Sequence, residues 1–473
     1  MNMQDEYAIS YPLLSQHPLR NRAPKIRAQY IWLLNYFRRK YCSGNSAVKA
    51  RLQRFSSNLL PEGLPTIPFL RKWVRRMCTT KQDIEKMQLR YSITAITRER
   101  FSGLNLYSLR YIFLFDCIFL LAPDDPDLAV RICDEINRNS NISIFKKKMQ
   151  RLEKGMFSLE IGNQKWDLVS EEQWKNWYDT RRYLTMSKRT IVFTATMSAG
   201  KSTLINAVMG QELAFAKKAA CTASVMEFQS VPTYQTQYNV IGQDQILTNI
   251  SAEEVKNYTK GQENPCIVSG YFESRINKAK VSIFDTPGVN SSRNPKHKEI
   301  TKSMLLNGKK DIIVYVIPVE NYGAEDDYVH LQFIRQKVSY NKIIFVINMM
   351  DTCDFEDDSV KEIVDNITNH LLSLGYEKPI ICPVSAKAGL LFKKVLSGNT
   401  LTANEEKMMK ALYDLFQDPD YDLTGYYKKL PGENFCFDSY KYTQISKEDM
   451  YQVYLKTGIP QFEEILCRFI KEE

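Results

Sequence analysis

The chain has 473 residues, enough for two or three domains, and its 44% apolar and 25% charged residues are those of an ordinary folded globular protein. Its ten cysteines form no CxxC pair and its four histidines do not cluster, which argues for free thiols and against a zinc or His-based metal centre. The net charge of +10 is uneven: residues 1–186 hold 31 Lys+Arg against 18 Asp+Glu, or +13, while residues 187–473 hold 33 against 36, or −3.

The N-terminus, MNMQDEYAIS, has no basic segment followed by an apolar one, so no signal peptide is expected. Residues 1–186 read as a mainly helical domain. In KIRAQYIWLLNYFRRKY the apolar residues Ile26, Tyr30, Leu33, Phe37 and Tyr41 recur at spacings of three and four. PFLRKWVRRM repeats the pattern with Phe69, Trp73 and Met77, and prolines at 61, 65 and 68 mark a loop before it. Basic amphipathic helices lie on anionic membranes or serve as core helices with a solvated basic face. The apolar run YIFLFDCIFLLA is shorter than the roughly 18–20 residues a bilayer requires and is broken by Asp116, so a buried helix is expected there. An excess of positive charge in this half suits an anionic membrane surface, a helical acidic partner protein or, less well, a nucleic acid.

From Lys188 the pattern changes. RTIVFTAT, KVSIFDTPG, DIIVYVIPV, NKIIFVINMMD and PIICPVSA are short apolar runs that alternate with helical segments such as DDYVHLQFIRQKV and DSVKEIVDNITNHLLSLG. This predicts an α/β domain over 187–473: a doubly wound, mostly parallel sheet covered on both faces, with ligands at the carboxyl ends of its strands.

The motifs fall at those ends. RTIVFTAT–MSAGKS–TLINAVMG reads as strand, phosphate-binding loop and helix, although Ala195 stands where the pattern has its first glycine. Backbone N–H groups from Met197 to Thr203 would cradle phosphates at the helix N-terminus, through Ser198, Ala199 and Gly200. Lys201 would reach the β- and γ-phosphates, and the Ser202 hydroxyl would ligate Mg²⁺. Thr222, in the polar loop of AACTASV before the strand expected at SVMEFQSV, is the candidate second Mg²⁺ ligand. Asp285 of FDTPG would hold the Mg²⁺ shell through water, and the Gly288 N–H would sense the γ-phosphate. Asp351 of NMMD could accept the paired donors of guanine, which adenine lacks. Asn348 would brace that loop, with Met349 replacing the usual lysine. Ser385, Ala386 and Lys387 of PVSAK would complete the base site, the Ala386 N–H meeting guanine O6. The set of motifs predicts binding of GTP and GDP with Mg²⁺.

At this point the sequence resembles bacterial dynamin-like GTPases of the dynamin superfamily. TMSAGKSTLINAVMG is similar to that family's phosphate loop, CTA to its switch threonine motif, and TGIPQFEEILCRFI to the helix that closes its GTPase domain. The resemblance covers about 188–471, with an insert at about 390–455. It implies catalytic roles for Ser198, Lys201 and Thr222, with Ser198 stabilising charge at the β–γ bridging oxygen. Met197 stands where eukaryotic members carry a water-orienting glutamine, and Val289 follows DTPG where small GTPases carry theirs. The resemblance therefore implies a slow GTPase that accelerates on self-association of its GTPase domain. No stalk is expected after Glu473, so the N-terminal helices or another chain would supply one. A cytoplasmic protein is expected, with a peripheral site at the inner membrane surface as the alternative location. Two other functions fit the same motifs: a GTP-regulated RNA- or ribosome-associated factor of the Era type, and a switch that binds GTP without cleaving it.

Overall fold

The computed structural model describes residues 9, 17–60, 80–98, 109–140, 146–158, 168–214, 225–233, 235–243, 245–260, 264–288, 295–307, 310–338, 342–353, 359–427, 437 and 440–471, and divides the chain into two units, 1–185 and 186–473.

The described helices of the first unit are α1 (Pro24–Tyr41), α2 (Ser46–Leu59), α3 (Lys81–Arg98), α4 (Leu109–Leu121), α5 (Pro126–Asn139), α6 (Lys146–Phe157) and α7 (Glu171–Thr185). Proline opens α1, where the missing N–H costs nothing, and Arg38, Arg39 and Lys40 in its last turn oppose the negative helix pole. Tyr30, Leu33 and Phe37 are buried as their spacing predicts. Side chains cap the next helices: Asn45 accepts from Val48 N at 2.9 Å, and Asp125 from Leu128 N at 2.8 Å. The helix expected over 68–77 lies outside the described residues.

Helix α4 is buried from end to end, as its apolar run predicts. Among the described residues no helix is long and apolar enough to cross a membrane. The charge that breaks the run is provided for. Asp116 Oδ2 accepts from Tyr30 OH at 2.5 Å and lies 3.0 Å from His17 Nε2. His17 Nδ1 accepts the Leu19 N–H at 3.1 Å, which leaves the ring proton on Nε2, facing the carboxylate. A buried carboxylate requires such donors. A second cluster joins α1 to α5. Lys40 Nζ donates to Glu135 Oε1 at 2.6 Å, Tyr36 OH to the same oxygen at 3.2 Å, and Tyr41 OH to Oε2. Burial alone would raise the Glu135 pKa, but the donors from Lys40 and Tyr41 outweigh it and lower it from 4.5. Tyr36 is pushed up to about 12 by burial and by Glu135.

The second unit is a nine-stranded sheet: β1 (Arg189–Ala195), β2 (Met226–Ser230), β3 (Tyr238–Ile241), β4 (Ile246–Ile250), β5 (Cys266–Gly270), β6 (Val281–Asp285), β7 (Ile312–Pro318), β8 (Ile343–Asn348) and β9 (Ile380–Pro383), in the order β4-β3-β5-β2-β6-β1-β7-β8-β9. Strands β6, β1, β7, β8 and β9 run parallel. Their carboxyl ends therefore share one edge. The described helices are α8 (Lys201–Met209), α9 (Ala252–Thr259), α10 (Pro295–Asn307), α11 (Glu325–Lys337), α12 (Val360–Ser373), α13 (Ala386–Leu396), α14 (Ala403–Leu415), α15 (Lys447–Lys456) and α16 (Ile459–Lys471). Leu204, Leu391, Tyr454 and Phe462 join Ile191 and Phe193 in one core. Leu305, Leu331 and Ile363 join Val192 and Ile313 in the other. Alternate residues of β1 thus feed opposite faces, as the strand period requires.

Sequence reading found the parallel strands and β2, but not β3, β4 and β5. These three, with β2, form a mixed wing: β2 is antiparallel to β6 and parallel to β5, and β3 is antiparallel to both β5 and β4. YNVI and ILTNI mix polar and apolar residues without alternation over only four or five positions, too few for a distinct period. In the span read as an insert, Met409, Leu412, Phe416, Met450 and Tyr454 lie in the same core as β1.

Two expectations follow for the first unit. All five tryptophans (Trp32, Trp73, Trp166, Trp174 and Trp177) fall in it, so selectively excited tryptophan fluorescence comes from it alone. Tyr30→Phe, which removes a donor to a buried carboxylate, should lower its stability by about 1.5–3 kcal/mol in urea unfolding followed by tryptophan emission. Glu135 has a folded pKa below its unfolded one, so its contribution is present above the unfolded value and lost as pH falls through the folded one. Fluorescence-detected melting temperature should therefore drop on acidification below pH 4.5 more steeply in the wild type than in Glu135→Gln.

Candidate functional site

The phosphate loop connects β1 to α8. Ala195 is buried in β1 and pairs with Val316 of β7, so it has ordinary extended backbone and needs no glycine. The left-handed positions come later, at Ser198 (φ 62°) and Gly200 (φ 75°). Gly200 is doubly constrained. A Cβ there would be left-handed and would also lie 2.3 Å from Asn348 Nδ2. Gly210, φ 72°, closes α8 in the left-handed C-terminal conformation.

Helix α8 presents Lys201 and Ser202 to the end of β6. Lys201 Nζ contacts the Asp285 carboxylate, and Ser202 Oγ donates to Asp285 Oδ2 at 3.0 Å. Asp285 is fully buried, in register with Phe193. Thr286 Oγ1 donates to Phe193 O at 2.8 Å, which pins the DTPG turn to β1. A Cβ on Gly288 would sit 3.3 Å from Met197 Cα, so this turn runs directly against the phosphate loop. The pair of hard oxygen donors from Ser202 and Asp285 suits Mg²⁺, which takes few protein ligands and keeps waters.

The base motifs meet the same loop. Asn348, buried at the end of β8, donates through Nδ2 to Ala199 O at 3.0 Å and accepts the Ala386 N–H at Oδ1, 3.1 Å. Its one amide therefore joins the phosphate loop to the SAK segment. Asp351 Oδ1 accepts from Ser385 Oγ at 2.5 Å, while Ser385 caps α13 by accepting from Ala388 N at 3.2 Å. Met349 is left-handed, φ 70°, and its Cε would lie 3.2 Å from a Cβ on Gly200.

All the site residues expected from the sequence that are described converge at this edge: Met197–Thr203, Asp285, Gly288, Asn348, Asp351 and Ser385–Lys387. Thr222 and Val289 lie outside the described residues. One assignment changes. The Ala386 N–H, expected to meet guanine O6, is engaged by Asn348, because the amide that braces the loop needs a donor for its oxygen. Sequence reading also passed over Asn206. Its Nδ2 donates to Ala214 O at 2.8 Å, and its Oδ1 accepts from Leu213 N and Ala214 N at 3.0 and 2.8 Å, fixing the chain that leaves α8. The signal was a polar residue inside the apolar run LINAVM, where asparagine is a poor helix former.

Residues 191–350 match the dynamin family model, from β1 to the start of the base loop. Over short spans the chain is 29% identical to elongation factor 1-alpha 2 of Euplotes crassus (104 residues, 20% of this chain and 24% of that one) and 26% identical to elongation factor 1-alpha of Thermococcus celer (110 residues, 23% and 24%). The chain thus spans about a quarter of the length of these curated relatives. Among solved structures, two from an oligomerised bacterial dynamin pair, described as a mechanism for long-range sensing and tethering of membranes, align over 97% and 96% of this chain and 63% and 74% of theirs. Their identities are 13% and 14% and their TM-scores 0.34 and 0.35, a distant likeness. The motif order, the sheet edge that gathers those motifs and the family-model match mark the span 191–350, about a third of the chain, as dynamin-like.

Proposed function

We propose that this chain is a dynamin-like GTPase of bacterial type that binds GTP with Mg²⁺, cleaves it to GDP and phosphate, and uses the cycle to control self-association. The observation that carries the reading is the Asn348 amide, which ties the phosphate loop at Ala199 to the base segment at Ala386 and so makes one site of two half-sites. In this reading 187–473 is the GTPase domain and 1–186 the effector region.

Lys201 turns to the β- and γ-phosphates, stronger partners for an ammonium than one carboxylate. Ser202, Thr222 and, through water, Asp285 hold Mg²⁺, which neutralises phosphate charge when bound. Ser198 faces the β–γ bridge, and the Gly288 N–H faces the γ-phosphate. Asp351, oriented by Ser385, accepts the guanine N1–H and N2–H, and guanine O6 meets the N-terminus of α13 at Lys387, since the Ala386 N–H is engaged by Asn348. With Met197 and Val289 in place of glutamines, the chain brings no water-orienting amide at those positions. Turnover is then slow in the isolated chain and rises when GTPase domains pair. The basic region, +13 over residues 1–186, contacts an anionic membrane surface or an acidic helical protein from the cytoplasmic side. RNA is the less favoured partner.

Phosphate release from GTP and from ATP, measured across a protein-concentration series with Lys201→Ala as the blank, tests this. Specific activity should be confined to GTP, climb with concentration and vanish in the variant. A flat concentration profile would remove the self-association step, and no release above the blank would remove hydrolysis. Asp351→Asn should weaken GTP binding by about 1.5–3 kcal/mol, on the order of tenfold to a hundredfold, in calorimetric titration. Equal GTP affinity in that variant would discard Asp351 as the base reader.

A further inference from the structure

A helix leaves its last four carbonyls without partners of its own. In α8 all four are taken. Asn206 O accepts from Gly210 N at 2.8 Å, and Met209 O from Glu273 N at 2.9 Å. Ala207 O and Val208 O accept from one side chain, Lys393 Nζ, at 3.1 and 3.0 Å. The third donor of that ammonium goes to Glu463 Oε1 at 2.5 Å. Glu463 in turn accepts the Arg275 N–H at 3.3 Å.

Lys393 lies on α13 and Glu463 on α16, and both side chains are about as buried as Asp285. Stability is a weak reason for this arrangement. Apolar residues of similar volume commonly serve a buried position as well as an ion pair does. What a buried ammonium adds is directional. Its three donors lock α8, α13 and α16 together at one point, and its charge sits at the negative pole of α8. Helix α8 is short, about 12 Å at 1.5 Å per residue, and its other end carries Lys201 and Ser202. Over that length a helix is a rigid rod, so holding its C-terminal end sets the position of its N-terminal end. The base segment has a further anchor of its own at the opposite, N-terminal end of α13, through Ser385 N to Thr457 O at 3.0 Å.

We propose that Lys393 is a positioning residue for phosphate binding: with Glu463 as its counter-charge, it fixes α8 so that Lys201 and Ser202 meet the nucleotide phosphates, while base selection is left to the other anchor. The inference rests on the nucleotide reading of the loop.

Titration of the full chain with fluorescently labelled GTP and GDP, and with ATP as competitor, tests it. The double variant Lys393→Met/Glu463→Leu removes both charges and leaves none buried alone. It should keep the wild-type circular dichroism, bind GTP and GDP about tenfold or more weakly, and retain the wild-type GTP-to-ATP ratio. Glu463→Gln, which keeps an acceptor and its volume, should weaken both nucleotides by about threefold. A folded double variant within about twofold of the wild type for both nucleotides would overturn the inference, as would loss of base discrimination in step with affinity. If the double variant does not fold, Glu463→Gln decides, and unchanged affinity there overturns it. A wild type that binds GTP no better than Lys201→Ala would fail the nucleotide reading itself, and this inference with it.

Discussion

One side-chain amide organises the candidate site. Asn348 donates to the carbonyl of Ala199 and accepts from the N–H of Ala386, so two loops separated by 187 positions in sequence share one planar group. An amide presents donor and acceptor in fixed directions, which a carboxylate or an ammonium cannot do. Its position explains Gly200. A side chain there would occupy the space of Asn348 Nδ2, so the glycine is required by the neighbouring loop as well as by its own left-handed backbone. The amide holds because β8 and β1 lie in one parallel array, with β7 between them, and end at the same edge. Apolar residues on both faces of those strands keep that edge rigid.

Much of this was legible in the sequence, and for physical reasons. Continuous apolar runs mark parallel strands, the glycines, lysine and serine of the phosphate loop have fixed spacing, and each motif sits where a strand must end. Helix α1 was legible because Tyr30, Leu33 and Phe37 recur at helical spacing. Other features were not legible. β3 to β5 are too short and polar to show a period. The burial of Asp116 depends on Tyr30 and on His17, almost a hundred residues away. The capture of the Ala386 N–H by Asn348 depends on where two loops meet. Long-range pairs of this kind leave no local signature.

Ala195 illustrates the difference between a motif and the physics behind it. As a pattern, the loop lacks its first glycine. As a backbone, it lacks nothing at that point, because residue 195 is the last ladder-paired residue of a strand. The conformational demand falls at Ser198 and Gly200, and only the second of these excludes a side chain outright.

The remaining strain is informative. Non-glycine residues in left-handed backbone cost about 1–3 kcal/mol each and persist only where their surroundings fix them. Two of them, Ser198 and Met349, lie in the phosphate loop and directly after Asn348. Met349 turns its side chain back over Gly200, where an apolar stem can cover the base side of the loop without a charge. A methionine in place of the usual lysine thus puts an uncharged side chain beside Gly200. Under the proposed function, guanine selection then rests on the Asp351 carboxylate and the N-terminus of α13, both of which are held by Ser385.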